Sequence, residues 1–265
     1  MSTATSPAEE SSETRFGREP LAEMTLIEHL TELRHRLFVS IGAFLVGTIA
    51  CWFVSERIYQ LLALPVTQVL QANAATAADA RLAILTLTEA FVVYLKAAAV
   101  GGLFVASPVI IAQMWLFIAP GLYRRERMYA LPVIVASVAF FLAGAAFGYL
   151  VLFPAMASFF INLGAEFRPL LSVNALFGFL MRTLIGCALV FEWPVVVYFM
   201  ARMGILTAGT MLRGFRYAVL IIFVIAAVVT PTPDMATQTI LAGPMLGLYI
   251  LGIAIAWAVQ PRKKS

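Results

Sequence analysis

The sequence predicts an all-α integral membrane protein with six transmembrane helices, of which the last two are short. Of the 265 residues, 62% are hydrophobic and only 12% are charged, whereas a soluble domain has about 45–50% apolar and 25% charged residues. Apolar runs alternate with short polar turns. Lys and Arg cluster at the ends of these runs, a pattern that indicates orientation in a membrane and argues against nucleic-acid binding.

The chain divides into three parts. Residues 1–20 are rich in Ser, Thr, Glu and Pro, a composition that predicts a disordered cytoplasmic tail because it cannot bury a core. Residues 21–260 are predicted to form one six-helix membrane domain, and residues 261–265 a basic cytoplasmic tail.

The first half of this domain is predicted to hold two spans and a short helix between them. Leucines recur from Leu26 to Leu37 at helical spacing, which predicts an amphipathic surface helix that runs into a first span at about 37–54. A short helix follows, which we expect Pro65 to end. The second span begins at the capping box that ends in Glu89 and is expected to bend at Pro108.

The second half supplies four more apolar runs, at about 128–153, 174–203, 217–230 and 237–259. The fifth run has 14 residues, or about 21 Å of helix, against about 30 Å of bilayer hydrocarbon. We therefore expect the last two helices to form a short hairpin that thins the bilayer locally.

The charge distribution orients these helices. Thirteen of the 18 Lys and Arg residues fall on one side of the predicted layout and four on the other. The basic side of a membrane protein faces the cytoplasm, so both termini are predicted to be cytoplasmic.

Glu192 is the most informative residue inside a span. It lies ten residues from Arg202, about 15 Å along a helix, and therefore near the middle of the bilayer. An ionisable residue at that depth faces a cavity or a partner. Two interpretations stay open: a functional group in a concave polar face, or a protonated carboxyl group that hydrogen-bonds a neighbouring helix.

Three polar residues are predicted to lie near the cytoplasmic side. Glu32 and Glu126 lie among arginines, and physical chemistry alone favours local pairing, with Glu32 bound to Arg36 one helical turn away. Gln113, inside the second span, is expected to make a hydrogen bond between helices.

The sequence offers no basis for catalysis or for a cofactor. Its two cysteines lie within apolar runs and are interpreted as buried free thiols. We find no Cys/His cluster for a metal, no phosphate-binding loop and no nucleophile motif, so neither a metal, a cofactor nor enzyme activity is predicted.

Four stretches, in order along the chain, resemble the TatC family, the multispanning receptor subunit of the twin-arginine translocase. They are residues 29–37 (HLTELRHRL), 115–123 (WLFIAPGLY) followed by Glu126, 191–194 (FEWP), and 230–234 (TPTPD) with Gln238. The resemblance covers about residues 26–246. One departure is the absence of a proline shortly before Glu89.

The resemblance implies a protein of the cytoplasmic (inner) membrane that transports other proteins. Such a protein binds twin-arginine signal peptides and, in an oligomeric complex with the single-span subunits TatA and TatB, passes folded proteins across the bilayer using the proton-motive force. The implied signal-peptide residues are Glu32, Arg34, Phe117, Arg124 and Glu126. Those related to transport or partners are Pro65, Glu192, Asp234 and Gln238.

Two other functions agree less well with the sequence. A small secondary transporter or proton channel would use Glu192 as a relay, but the halves of the chain show no inverted repeat. An intramembrane enzyme would need a catalytic pair, and Glu192 has no second acid or histidine within the spans.

Overall fold

The structure is a computed structural model that describes residues 26–72, 83–118, 130–163, 172–229 and 235–259, and most of this part of the chain is helical. The predicted tails at 1–20 and 261–265 lie outside it. The helices are α1 (Leu26–Trp52), α2 (Ser55–Ala72), α3 (Glu89–Ile118), α4 (Ala130–Phe147), a π-helical turn (Gly148–Leu152), α5 (Phe153–Leu163), α6 (Val173–Val190), α7 (Trp193–Arg202), α8 (Ala208–Arg213), α9 (Phe215–Val229) and α10 (Met235–Val259).

The described residues contain five segments long and apolar enough to cross a membrane, together with the shorter helix α9. The third segment is longer than predicted, because α4 continues through the π-helical turn into α5. The 15 residues of α9 rise about 22 Å, as expected. The prediction that the sixth helix is also short is wrong: α10 has 25 residues, about 37 Å, and continues through Pro244.

The predicted surface helix and first span are a single helix, α1, whose leucine stripe is exposed at Leu30, Leu33 and Leu37. Helix α1 packs chiefly on α3. A Cβ atom at Gly102 would lie 2.4 Å from the backbone nitrogen of Thr48, and one at Gly47 would lie 2.8 Å from the carbonyl oxygen of Gly102. The two backbones therefore touch at this crossing, an approach that small residues permit in membrane helices.

Prolines inside helices leave backbone carbonyls without their usual donors, and two of these carbonyls accept from side chains instead. Pro108 in α3 frees the carbonyl of Phe104, which accepts instead from the Ser107 hydroxyl at 2.8 Å. Pro65 in α2 frees the carbonyl of Leu61, which accepts from the Tyr149 hydroxyl. The expectation that Pro65 ends its helix is thus wrong, since a side chain from the π-helical turn replaces the lost donor.

Glu89 connects the start of α3 to the start of α6 through hydrogen bonds. Its Oε2 accepts from the backbone N–H groups of Leu85 at 2.6 Å and Thr86 at 3.3 Å. Its Oε1 accepts from the backbone N–H of Asn174 at 2.9 Å and from the Ser172 hydroxyl. The predicted capping box is therefore present on its Glu side and extends to a second helix. We refer to this part of the bundle as the Glu89 end.

The crossing of α1 and α3 gives a test of the packing. We expect Gly102→Ala to destabilise the protein by about 1–3 kcal/mol, because the added methyl group meets backbone atoms that cannot move aside alone. Thermal unfolding of the purified protein in detergent measures the effect. Gly42→Ala is the matched control, since a Cβ there meets nothing within 4 Å. Equal melting temperatures for the two variants would contradict the packing described.

Candidate functional site

Glu32 lies in the second turn of α1, and one of its carboxylate oxygens is bound by Arg36. The Nε and Nη2 atoms of Arg36 donate to Glu32 Oε1 at 2.9 and 2.5 Å. The two side chains are largely buried, with 19% of Glu32 and 21% of Arg36 exposed. The local pair that physical chemistry favoured is therefore present, and it lies in a more enclosed position than a surface ion pair.

The pair is tied to the neighbouring helix through Gln113. Arg36 Nη1 donates to Gln113 Oε1 at 3.2 Å, which confirms the expected hydrogen bond between helices. Among the described residues, Glu32 Oε2 has no hydrogen-bond partner although it is buried. A buried carboxylate oxygen without a donor is costly, so this atom is an available acceptor for a cationic group.

A second contact joins the same two helices beside Glu32. The rings of His29 on α1 and Phe117 on α3 stack with centroids 4.6 Å apart. Glu32 therefore lies between two contacts of α1 with α3, one through His29 and one through Arg36. We call this part of the bundle, formed by the start of α1 and the end of α3, the Glu32 end.

Arg34 does not join this cluster. Its guanidinium carbon lies 5.6 Å from the centroid of the exposed Phe38 ring. Three other candidate residues, Arg124, Glu126 and Asp234, lie outside the described residues. The structure thus brings Glu32 and Phe117 to one end of the bundle and gives Arg34 a separate contact.

Glu192 occupies the break between α6 and α7. The chain turns at Phe191 and Glu192, and α7 begins with Trp193 and Pro194. Pro194 cannot donate to the carbonyl of Val190, so one backbone hydrogen bond is missing between α6 and α7. The backbone of Glu192 starts α7, but its side chain makes no capping hydrogen bond.

Both carboxyl oxygens of Glu192 are buried and lack a hydrogen-bond partner among the described residues. The Ser137 hydroxyl on α4 lies beside the Glu192 carboxyl group, but the two groups are not aligned as a hydrogen bond. Ser137 itself accepts from the Trp115 indole N–H at 2.7 Å. Since indole is only a donor, the hydroxyl hydrogen of Ser137 stays available to the Glu192 carboxyl group.

The turn at Glu192 borders a groove of about 590 Å³ between α6, α7, α8, α9 and α10. Most of the lining side chains are apolar, and the polar ones include Glu192 and Thr210. This groove is therefore concave but mostly apolar, and the carboxyl oxygens of Glu192 are themselves buried.

The remaining candidates lie elsewhere. Pro65 is buried in α2, where it frees the carbonyl that Tyr149 caps. Gln238 is half-buried in the first turns of α10. The structure does not bring either of them to Glu32.

Sequence reasoning missed two residues that shape these sites, Trp115 and Ser137, and it missed the contacts of Glu89 with α6. A signal for Ser137 was present, since it is the one polar side chain in α4. Trp115 resembled an ordinary apolar residue of a span. The partners of Glu89 at the start of α6 are 83 and 85 positions away along the chain. Local sequence patterns carry no information at that separation.

Comparisons with known proteins point to one family along most of the chain. The family model "Sec-independent protein translocase protein (TatC)" matches residues 28–244. The protein of that name from Koribacter versatilis is 42% identical over 94% of this chain and 91% of its own, and that from Synechocystis sp. is 38% identical over 87% of each.

A solved structure supports the same assignment. The crystal structure of the twin-arginine translocase receptor TatC in DDM superposes with a TM-score of 0.76 at 32% identity, covering 86% of this chain and 99% of that one. The order of the helices, the residues that line their ends and these similarities lead to one conclusion: the chain belongs to the Sec-independent protein translocase (TatC) family.

Proposed function

We propose that this protein binds twin-arginine signal peptides at its Glu32 end and, with the single-span subunits TatA and TatB, passes folded proteins across the inner membrane using the proton-motive force. The observation that carries the proposal is the free, buried Oε2 atom of Glu32 in a member of a translocase family. The protein is a transport subunit, and we assign it no catalytic step.

The chemistry of the ligand fits this atom. A guanidinium group is always charged and presents several N–H donors in a plane, so a carboxylate is its natural partner. Glu32 offers an oxygen that no other described group satisfies. Glu126 would supply the second acid, kept ionised by its neighbouring arginines until a substrate arrives. Arg34, Phe117 and Arg124 would complete the surface that the signal peptide contacts.

The Glu32 end would face the cytoplasm, and both termini with it. The support is the excess of Lys and Arg at the ends of the helices on that side. Signal peptides of proteins that fold before export are met in the cytoplasm, so this orientation puts the acids where the ligand is.

Glu192 and the groove beside it would serve the partner subunits. A mostly apolar groove beside an acidic residue is suited to a transmembrane helix with one polar side chain. Pro65, Asp234 and Gln238 would affect transport on the other side. The alternative of a proton pathway through Glu192 has less support, because the side chain next to its carboxyl group in the described residues is Ser137 rather than a second acid or a histidine.

Loss of either acid should weaken peptide binding. We expect Glu32→Gln and Glu126→Gln each to weaken a twin-arginine peptide by about tenfold or more, because a charge-assisted hydrogen bond is lost. Fluorescence anisotropy with a labelled peptide on the purified full chain measures this. Glu56→Gln, an exposed acid on α2, is the control and should bind normally. Unchanged binding or crosslinking in both site variants would refute the assigned role.

Transport itself can be tested in cells. Depletion of the protein should stop export of a folded, cofactor-loaded reporter with a twin-arginine signal, while a reporter that crosses the membrane unfolded continues to be exported. The amount of each reporter outside the inner membrane is the measurement. Normal export of the folded reporter after depletion would rule out the translocase function.

The orientation is tested by cysteine labelling. Both native cysteines are buried and free, so they contribute little background. With a membrane-impermeant thiol reagent added from outside, we expect Ala75→Cys to react and Tyr123→Cys to stay unlabelled. The reverse pattern would show that the predicted orientation is inverted.

A further inference from the structure

We propose that Arg36 and Gln113 are positioning residues that fix the carboxylate of Glu32, so that Oε2 is the oxygen presented to an incoming guanidinium group. This inference rests on the proposed function of Glu32 as a peptide-binding acid. It adds two residues that do not touch the ligand but determine how the acid meets it.

The donors of Arg36 are divided between two acceptors. Nε and Nη2 both bind Glu32 Oε1, at 2.9 and 2.5 Å, and Nη1 binds Gln113 Oε1 at 3.2 Å. The guanidinium group is planar and rigid, so these three hydrogen bonds fix the Glu32 carboxylate relative to the Gln113 amide. A lysine could not do this, because a single ammonium group on a flexible stem has no such fork.

The arrangement leaves a definite acceptor. Two donors on Oε1 use the lone pairs of that oxygen, and Oε2 stays buried without a partner. Water has already been removed from Oε2 in the folded protein, so a guanidinium that reaches this oxygen supplies the hydrogen bond that it lacks. Less side-chain freedom also remains to be lost on binding, which favours affinity.

The Glu32 carboxylate is held in place by contacts with α3 as well as with α1. Gln113 lies on α3 one turn before Phe117, whose ring stacks on His29. Glu32 is therefore held between two contacts that join the helices. A surface ion pair within α1 alone would contribute little, whereas the hydrogen bond to Gln113 fixes the acid relative to a second helix.

The test uses the full chain in lipid nanodiscs and a labelled synthetic peptide with paired arginines. We expect Gln113→Leu and Arg36→Lys each to weaken binding roughly fivefold to tenfold, the size expected for loss of one ordinary hydrogen bond. Arg36→Lys keeps the charge and removes only the fork. The matched controls are Gln60→Leu and Arg213→Lys, both at exposed positions, and they should bind normally. Thermal unfolding shows whether each variant is folded.

A double-mutant cycle separates positioning from a general structural role. Glu32→Asp keeps the negative charge but withdraws it from Arg36, so peptide binding stays measurable. In that background Gln113→Leu should have no further effect. A full additional loss would mean that Gln113 acts independently of Glu32 and would overturn the inference.

The remaining outcomes are also decisive. If Arg36→Lys or Gln113→Leu tightened binding, Arg36 would be a competing occupant of the site and not a positioning residue. If Glu32→Gln weakened binding while both of these variants bound normally, the inference alone would fail. If Glu32→Gln bound normally, the proposed function would fail together with it.

Discussion

The contact of α1 with α3 at Gly47 and Gly102 sets the geometry on which the Glu32 end depends. The two backbones touch there, so neither helix can slide past the other without a clash. Arg36 and Gln113 each lie eleven residues from that contact on their own helices, three turns or about 16 Å away. The helices run in opposite directions, so equal separations bring the two side chains opposite each other. A pair of glycines in the middle of the bundle thus determines which residue of α3 meets Arg36.

Several polar groups in the described part of the protein are satisfied by internal hydrogen bonds. Hydroxyl groups of Ser107 and Tyr149 bind the carbonyls that prolines free, and Glu89 has donors on both oxygens, as a lipid environment demands. The side chains with a buried polar atom left unpaired are Glu32, Thr48 and Glu192. Two of these three are the acids that the proposed function uses. Unsatisfied groups at such positions are expected where a ligand or partner completes the site.

The sequence predicted those features that depend on local spacing or on composition. Apolar runs located the spans, and the separation of one helical turn between Glu32 and Arg36 indicated their pair. A glutamine inside a span had to hydrogen-bond another helix, but the identity of its partner depended on the register of α1 against α3, which no local pattern contains. The same limit explains Pro65 and Glu89. The donor that lets α2 continue through Pro65 comes from Tyr149, 88 residues away from the accepting carbonyl, and the bonds of Glu89 reach residues of α6.

The indole of Trp115 gives the protein a built-in optical probe. Of the four tryptophans, Trp52, Trp193 and Trp257 are 37%, 38% and 77% exposed, whereas Trp115 is only 4% exposed and hydrogen-bonded to Ser137. Brominated lipids quench emission by collision, so they act on the first three and spare the fourth. The emission that survives comes from the last turns of α3, two residues from Gln113 and one hydroxyl group from Glu192. Its wavelength should therefore report changes around Ser137 and the neighbouring Glu192 carboxyl group without any introduced label.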